Sequence, residues 1–296
     1  MKPAPFEYLA PDSLPAALAA LAARGWDAKL LAGGQSLIPV MNFRLAQPAV
    51  LIDLNRVAGL SGVERVGSEL RIGAMTRQRT LEEDPLIERH APLLHEAVPF
   101  IAHPQIRNRG TIGGSLAHAD PAAELPALAV ALDARLRLQS VRGERWVAAA
   151  DFFLGLFSTV LEQDEMLTEI AIPTAQAGSG WAFVEVARRH GDYAQLGVAA
   201  RITLDDQGRC SSARMVFLSA GEKPIDAKAA AALAGASLGE EVFDAVGAAA
   251  RDEINPTGDI HASAAFKKHL AQVLTRRALR LAAERARKNV GGTSSR

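Results

Sequence analysis

The chain contains almost no cysteine, since Cys210 is the single one among 296 residues. An internal disulfide is therefore excluded, because a disulfide needs two thiols. An iron–sulfur cluster held by this chain alone is excluded as well, since such clusters are bound by several thiolates. We expect Cys210 to be an inert thiol, and any iron–sulfur cluster associated with the protein has to be bound by another chain.

The sequence also lacks a long apolar run and an excess of either charge. No stretch approaches the roughly 18 uninterrupted apolar residues of a membrane span, and the amino terminus has no signal-peptide pattern. Basic and acidic residues balance at 33 each, which gives no net charge for binding nucleic acid or an anionic membrane. We therefore expect a cytoplasmic protein with no membrane span and no nucleic-acid partner.

Two short loops, each with a glycine pair after an apolar run, are the most informative feature. They read Ala32-Gly33-Gly34-Gln35-Ser36 and Thr111-Ile112-Gly113-Gly114-Ser115. Glycine lets the backbone approach a ligand closely, and successive N–H groups in such a turn form an anion-binding concavity. Neither loop matches a P-loop or a G-x-G-x-x-G turn. Each loop alone is also typical of a tight turn, but together they suit one long ligand with a central pyrophosphate, such as FAD.

Two further segments extend this pattern, Ile-Ala-His-Pro-Gln-Ile-Arg-Asn-Arg-Gly at 101–110 and Arg-His-Gly-Asp-Tyr-Ala at 189–194. The combination resembles the FAD-binding medium subunit of molybdenum hydroxylases, the family of carbon monoxide dehydrogenase medium subunits and xanthine dehydrogenase flavin domains. In order and spacing the resemblance covers nearly the whole chain. Gln35 and Ser115 stand where other members have His and Asn, and Gln195 stands where some relatives have Lys.

Hydrophobic periodicity and turn signals predict an α+β fold with three units. We expect two small α/β FAD-binding subdomains at 1–57 and 58–176, a C-terminal subdomain of a small antiparallel sheet with helices at 177–290, and a flexible tail at 291–296. A linker is predicted at 174–180, followed by strands at 182–186, 196–204 and 213–218. A helical stretch is predicted at 93–102, and the histidines in or beside it lack an acid at ligand spacing, so we predict no metal site.

The resemblance implies that both glycine loops hold FAD, chiefly through backbone N–H groups to its pyrophosphate. The residues implied in or before the first loop are Lys29, Leu31, Ala32, Gly33, Gly34, Gln35, Ser36 and Leu37. Those implied in or after the second loop are Thr111, Gly113, Gly114, Ser115 and Ala117. Glu124 is the implied ligand of the ribityl hydroxyls, and Asp120 competes for that role.

Four apolar or aromatic positions are further implied by the resemblance as cofactor-binding. Ile101 and Ala102 match positions that pack near the flavin, Leu167 matches an apolar position at the end of the second subdomain, and Tyr193 matches an aromatic position beside the isoalloxazine. Without the resemblance, Tyr193 is equally typical of a core or turn aromatic. An alternative interpretation of Asp120 is an N-cap followed by a proline at the first helical position. No side chain is expected to act as an acid, base or nucleophile.

The function implied by the resemblance is electron transfer within an oxidoreductase complex. A large subunit with molybdopterin would hydroxylate the substrate, and a small subunit with [2Fe–2S] clusters would pass electrons to the FAD on this chain. The chain would deliver them to a terminal acceptor, and the complex would be a dimer of heterotrimers. Substrate and acceptor stay open at this stage.

Two other classes of function remain as alternatives. One is a self-contained FAD oxidase of the vanillyl-alcohol oxidase type, which resembles chains with a large substrate-covering domain. The other is a non-catalytic module in which the glycine loops bind a different dinucleotide. Visible absorbance of the purified chain separates the module from both flavin hypotheses, and copurifying subunits separate the complex from the lone oxidase.

Overall fold

In the computed structural model, which describes residues 2–291, the chain begins with a small parallel sheet. Its strands are β1 (Glu7–Leu9), β2 (Ala28–Leu31) and β3 (Val50–Asp53), in the order β1-β3-β2. Helix α1 (Leu14–Arg24) connects the first two strands and ends at Gly25, whose φ of 54° suits glycine. Helix α2 (Leu37–Asn42) connects the second and third strands. Because parallel strands end at the same edge, the loops after β2 and β3 leave the sheet side by side.

A five-stranded antiparallel sheet with the order β4-β5-β10-β6-β7 forms the middle of the chain. Its strands are β4 (Val63–Val66), β5 (Glu69–Gly73), β6 (Arg135–Ser140), β7 (Gly143–Ala148) and β10 (Met166–Pro173). Between β5 and β6 lie α3 (Gln78–Glu83), α4 (Pro85–His90), α5 (Pro92–Ala97), α6 (Pro104–Arg107), α7 (Ile112–His118) and α8 (Glu124–Ala131). Helix α9 (Ala149–Phe152) and a small hairpin of β8 (Phe153–Gly155) and β9 (Ser158–Thr159) precede β10.

The last part of the chain is a four-stranded antiparallel sheet covered by two helices. Its strands, in spatial order, are β11 (Ser179–Val186), β12 (Leu196–Leu204), β13 (Cys210–Leu218) and β14 (Ile225–Asp226). Helices α10 (Glu240–Glu253) and α11 (Ala264–Gly291) pack on one face of this sheet. The other face contacts α8, every residue of which is buried. Helix α8 therefore lies at the junction of the two larger parts of the molecule.

The predicted α+β fold class is confirmed, as is strand β12 at 196–204. The predicted helix at 93–102 is wrong in its second half. Helix α5 ends at Ala97, a 3-10 turn follows at Val98–Phe100, and Ala102 has a positive φ of 43°. The predicted linker at 174–180 is too long, because Ser179 and Gly180 already belong to β11.

The proposed division at 57/58 and 176/177 stays a prediction, and each sheet lies within one of its units. Of the predicted tail, Gly291 is the last residue of α11, and 292–296 lie outside the described residues. Within residues 2–291 no helix combines the length and the apolar content that crossing a membrane requires.

Gly180 provides a direct test of how closely β11 and α11 pack. A Cβ at this position would overlap the carbonyl oxygen of Ala282 and would lie 2.9 Å from the Cβ of Ala286. We expect Gly180→Ala to lower the free energy of unfolding by about 1–3 kcal/mol, since overpacking forces the backbone apart. Urea denaturation measures the change. Gly239→Ala is the control, because a Cβ there meets no atom within 4 Å, and an equal loss in both variants would contradict the packing.

Candidate functional site

The first glycine loop borders a cavity of about 370 Å³ at the edge of the parallel sheet. Leu31 and Asp53 are register partners at the ends of β2 and β3, so the loops that follow these strands form adjacent walls. The lining residues are Leu31, Ala32, Gly33, Gly34, Gln35, Ile38, Pro39, Asp53, Asn55 and Arg109. Five of the residues implied for the first loop thus line one concave site.

Five consecutive backbone N–H groups in this loop have no protein acceptor. Within residues 2–291, the N–H groups of residues 33–37 donate to no backbone or side-chain oxygen. Gly34 has a φ of 73°, a left-handed conformation that L side chains rarely adopt. Such a row of N–H groups around a left-handed residue forms a concavity for anions. The donor set therefore fits a pyrophosphate without any lysine.

The two glycine loops touch each other, as the resemblance requires. A Cβ at Gly33 would overlap the carbonyl oxygen of Arg109 and would lie 2.8 Å from the Cα of Gly110. A Cβ at Gly114 would lie 3.4 Å from the side chain of Ala32. The backbone of one loop therefore packs directly on the backbone of the other, which only glycine at position 33 permits.

The second glycine loop has fewer backbone N–H groups without a protein acceptor than the first loop has. Thr111 caps α7, since its hydroxyl accepts from the N–H of Gly114 at 3.0 Å and its carbonyl from the N–H of Ser115 at 3.2 Å. The N–H of Gly113 donates to the carbonyl of Ala74 at 2.8 Å, and a Cβ on Gly113 would lie 2.5 Å from the Ala74 side chain. Gly113 therefore packs against Ala74, the residue directly after β5. Most of the N–H groups without a protein acceptor belong to the first loop.

The site residues predicted from the sequence omit five side chains at or near the cavity, those of Tyr8, Asp53, Asn55, Arg77 and Arg109. Arg77 donates to Asn55 at 2.6 Å and to the carbonyl of Arg109, and Tyr8 donates to Asp53 at 2.5 Å. Burial and then the neighbouring Arg109 lower the pKa of Arg77. The sequence carries one indication of Asp53 and Asn55, because they lie at and just after the end of a buried strand, and polar residues at the carboxyl ends of parallel strands often line a ligand site.

Three of the residues implied by the resemblance, Ile101, Ala102 and Tyr193, come together beyond the other end of α7. The buried guanidinium of Arg107 donates to the carbonyl of Ile101 at 2.8 Å and pairs with Glu82. Gly191 has a φ of 86°, and a Cβ there would lie 2.5 Å from the ring of His103. The turn that carries Tyr193 is therefore packed on residues 101–103, including Ala102.

Tyr193 lies near the two acids that the resemblance implies for the ribityl chain. It is 64% exposed, and its hydroxyl is directed towards the carboxyl of Asp120. Desolvation of the hydroxyl and the carboxyls of Asp120 and Glu124 raise the pKa of Tyr193 to about 12. The phenol therefore stays protonated at neutral pH and can donate a hydrogen bond.

Asp120 and Glu124 differ in burial and in hydrogen bonding. Asp120 accepts from the N–H of Ala122 at 2.9 Å. Helix α8 begins only at Glu124, so the interpretation of Asp120 as an N-cap with Pro121 as the first helical residue is wrong. Glu124 is only 6% exposed, and burial raises the pKa of its carboxyl to about 7. No other residue of the described chain donates to that carboxyl.

Of the implied residues only Leu31, Ala32, Gly33, Gly34 and Gln35 line the cavity itself, and three of the others have a different environment. Lys29 and Ala117 are exposed and do not line it. Leu167 is buried in β10, and the neighbouring Thr168 accepts from the N–H of Ala74 at 2.9 Å. Leu167 therefore lies beneath the second glycine loop.

Comparisons with known proteins agree with this geometry. Residues 4–175 match a family model described as the FAD binding domain in molybdopterin dehydrogenase, and residues 181–282 match the CO dehydrogenase flavoprotein C-terminal domain. The chain is 43% identical to 6-hydroxypseudooxynicotine dehydrogenase complex subunit alpha of Paenarthrobacter nicotinovorans, over 97% of both chains. It is 41% identical to caffeine dehydrogenase subunit beta of Pseudomonas sp. (strain CBB1), over 96% of this chain and 97% of the relative.

A solved structure shows the same fold. A chain of carbon monoxide dehydrogenase from Hydrogenophaga pseudoflava, in a form that lacks the Mo-pyranopterin moiety of the molybdenum cofactor, superimposes with a TM-score of 0.94. The two chains are 42% identical, and the match covers 96% of this chain and 99% of the other.

The contact between the loops predicts that Gly33→Ala weakens FAD binding by about tenfold or more, equivalent to about 1.4 kcal/mol. The added Cβ would push the first loop away from Arg109 and misdirect its N–H groups. Quenching of flavin fluorescence on titration measures the affinity. Ser36→Ala is the matched variant, since it removes a hydroxyl but keeps every N–H group of the loop, and we expect it to bind within about threefold of the wild type. A stronger loss in Ser36→Ala would contradict backbone recognition.

The burial of Glu124 predicts a stability that depends on pH. Because its pKa is raised in the folded chain, the folded state holds a proton that the unfolded state releases at lower pH. The free energy of unfolding of the FAD-free chain should therefore fall as the pH rises from about 5 to about 7, by roughly 2 kcal/mol for this group. Urea denaturation across that range measures the slope. Glu124→Gln should make the slope shallower, and an unchanged slope would contradict the assignment.

Proposed function

Because the chain belongs to the family of FAD-binding medium subunits of molybdenum hydroxylases, we propose that it carries electrons between the other components of an oxidoreductase complex. In this proposal FAD on this chain accepts electrons from [2Fe–2S] clusters of a small subunit and passes them to a terminal acceptor. A large molybdopterin subunit performs the substrate hydroxylation.

The observation that carries the proposal is the row of five unpaired N–H groups at residues 33–37, beside a cavity of about 370 Å³. These groups would bind the pyrophosphate of FAD, and the nearby guanidiniums of Arg77 and Arg109 would balance part of its charge. When bound, FAD supplies a ring that accepts and releases electrons. The chain itself contributes orientation, because Ile101, Ala102 and Tyr193 are held together at the other end of α7.

The partner subunits are proposed from two kinds of support. The relatives bear names such as complex subunit alpha and medium chain, which describe parts of larger assemblies. In addition, Cys210 is the single cysteine of the chain and is buried, so the thiolates of an iron–sulfur cluster would have to come from another polypeptide. A dimer of heterotrimers is the proposed assembly, and the cytoplasmic location stays a prediction.

The free carboxyl of Glu124 favours it over Asp120 as the proposed ribityl ligand. Asp120 already accepts from the backbone N–H of Ala122 at 2.9 Å, and its carboxyl lies beside the hydroxyl of Tyr193. Glu124 has no such donor among the described residues, so a ligand hydroxyl would satisfy its buried carboxyl. Asp120 would then position Tyr193 beside the flavin.

The proposed function is tested by the visible absorbance of the purified protein, alone and after addition of FAD. We expect bands near about 370 and 450 nm from a bound isoalloxazine, with a stoichiometry of one FAD for each chain. Gly33→Ala, examined in the same way, should show weaker bands at equal FAD concentration. A folded chain that takes up no FAD, either alone or copurified with its partner subunits, would overturn the proposal.

A further inference from the structure

Ser219 connects two segments of the chain that carry implied flavin residues. It lies directly after β13, and its backbone N–H donates to the carbonyl of Pro121 at 2.8 Å. Its hydroxyl donates to the carbonyl of Ala194 at 2.6 Å. Pro121 follows Asp120 in the chain, and Ala194 follows Tyr193. One residue therefore fixes the backbone next to Asp120 and the backbone next to Tyr193.

The backbone of Ser219 has a conformation that L residues rarely adopt. Its φ is 58°, in the left-handed region that favours glycine. Ala119, which precedes Asp120, has a φ of 53°, and Ala102 has a φ of 43°. Such conformations cost free energy and persist where the surrounding contacts hold them, most often at functional sites. Each of the three residues belongs to, or is bonded to, a segment with an implied flavin residue.

The hydroxyl accounts for a serine, and not a glycine, at this position. Glycine would adopt a φ of 58° at a lower cost. It would leave the carbonyl of Ala194 without the hydroxyl that donates to it, and Ala194 is only 6% exposed. A buried acceptor that loses its donor is costly. The strain at Ser219 is therefore retained together with a hydrogen bond that a glycine cannot supply.

The turn between β11 and β12, residues 187–195, is attached on both sides of its aromatic residue. We call this segment the tyrosine turn. Before Tyr193, Gly191 packs against Ala102, since a Cβ at Gly191 would lie 2.8 Å from the Ala102 carbonyl oxygen. After Tyr193, the carbonyl of Ala194 accepts the hydroxyl described above. Tyr193 is 64% exposed, so these backbone attachments, more than the packing of its own ring, determine its position.

The attachment at Ser219 leads into a rigid part of the molecule. Leu218, the preceding residue, is fully buried and belongs to the same hydrophobic core as Ala194 and Leu125 of α8. Helix α8 packs on β13. Ser219 therefore links the position of this core to that of the exposed tyrosine turn.

We propose that Ser219 is a positioning residue for the flavin, because it determines where Tyr193 lies relative to Asp120 and thereby how the tyrosine ring meets the isoalloxazine. The inference rests on the proposed function, in which FAD extends from the glycine loops to the tyrosine turn. Ser219 does not line the cavity beside the first glycine loop. It acts through the carbonyls of Pro121 and Ala194.

The proposal predicts that loss of the Ser219 hydroxyl weakens FAD binding. We expect Ser219→Ala to raise the dissociation constant by about five- to tenfold, the effect of one lost hydrogen bond. Fluorescence titration of FAD measures it, on the full chain alone and copurified with its partner subunits. Ser211→Ala is the matched control, because Ser211 is also in or next to β13 and its hydroxyl donates to the carbonyl of Thr203 at 3.0 Å. It should bind FAD within about twofold of the wild type.

A double-mutant cycle tests whether Ser219 acts through the tyrosine. Tyr193→Ala removes the side chain that Ser219 is proposed to position. In that background, Ser219→Ala should change the dissociation constant by less than about twofold. The midpoint potential of the bound flavin should shift in the same direction in both single variants, because neighbouring groups tune the electronics of the ring. It should shift no further in the double variant than in Tyr193→Ala.

Ser219→Gly separates positioning from stability. Glycine relieves the left-handed strain, so the midpoint of urea unfolding should lie above that of Ser219→Ala. Glycine also lacks the hydroxyl, so the affinity for FAD should fall at least as far as in Ser219→Ala. The two readouts should therefore move in opposite directions between these variants.

The outcomes distinguish this inference from the proposed function. If Ser219→Ala weakens FAD binding equally with and without the Tyr193 side chain, or if Ser219→Gly regains affinity together with stability, Ser219 serves stability alone and the inference is wrong. Wild-type affinity in Ser219→Ala would overturn it as well, and so would wild-type affinity and potential in Tyr193→Ala. If the wild type itself binds no FAD, the proposed function fails together with the inference.

Discussion

The contact between the backbone at Gly33 and the carbonyl of Arg109 is the constraint on which the site depends. No side chain fits between the two loops, since a Cβ at position 33 would overlap the Arg109 oxygen. This contact attaches the parallel sheet to α7 and its preceding turn. The N–H groups of residues 33–37 meet no acceptor in the described chain, and Gly33, Gly34 and Gln35 line the cavity. Unpaired N–H groups are costly when buried, so their persistence on a concave surface is what a bound anion explains.

The second constraint is the packing of α8 between the middle part of the chain and strands β12 and β13 of the C-terminal sheet. Ion pairs lie nearby, such as Arg285 with Glu96, where Arg285 also donates to the carbonyl of Trp181 at 2.6 Å. These side chains are partly exposed, so each pair contributes little stability by itself, and the apolar packing of α8 carries most of the contact. Glu124 is the exception on this helix, because it is a buried acid to which no other described residue donates, and such an acid is retained at a cost. A role toward a ligand accounts for that cost better than packing does.

Hydrophobic periodicity and glycine placement were sufficient to predict β12 and the positions of both glycine loops. The errors have local physical causes. The helix predicted at 93–102 stops at Ala97 because a 3-10 turn with Pro99 follows and because Arg107 binds the carbonyls of the next residues. Ser179 and Gly180 were assigned to a linker on composition, but Gly180 is in β11 because α11 packs too closely there for a side chain.

The sequence by itself determined the fold class, the resemblance to a flavin-binding family and the exclusion of an iron–sulfur cluster bound by this chain alone. Those conclusions depend on residue types and spacing along the chain. Only the tertiary structure decided that the first loop carries most of the N–H groups without a protein acceptor and that Gly113 packs against Ala74. It likewise decided that Arg77 and Asn55 lie at the site. Hydrogen-bond partners and facing charges come from segments far apart in sequence, so no local pattern could have shown which donors stay free or which acids lack a cation.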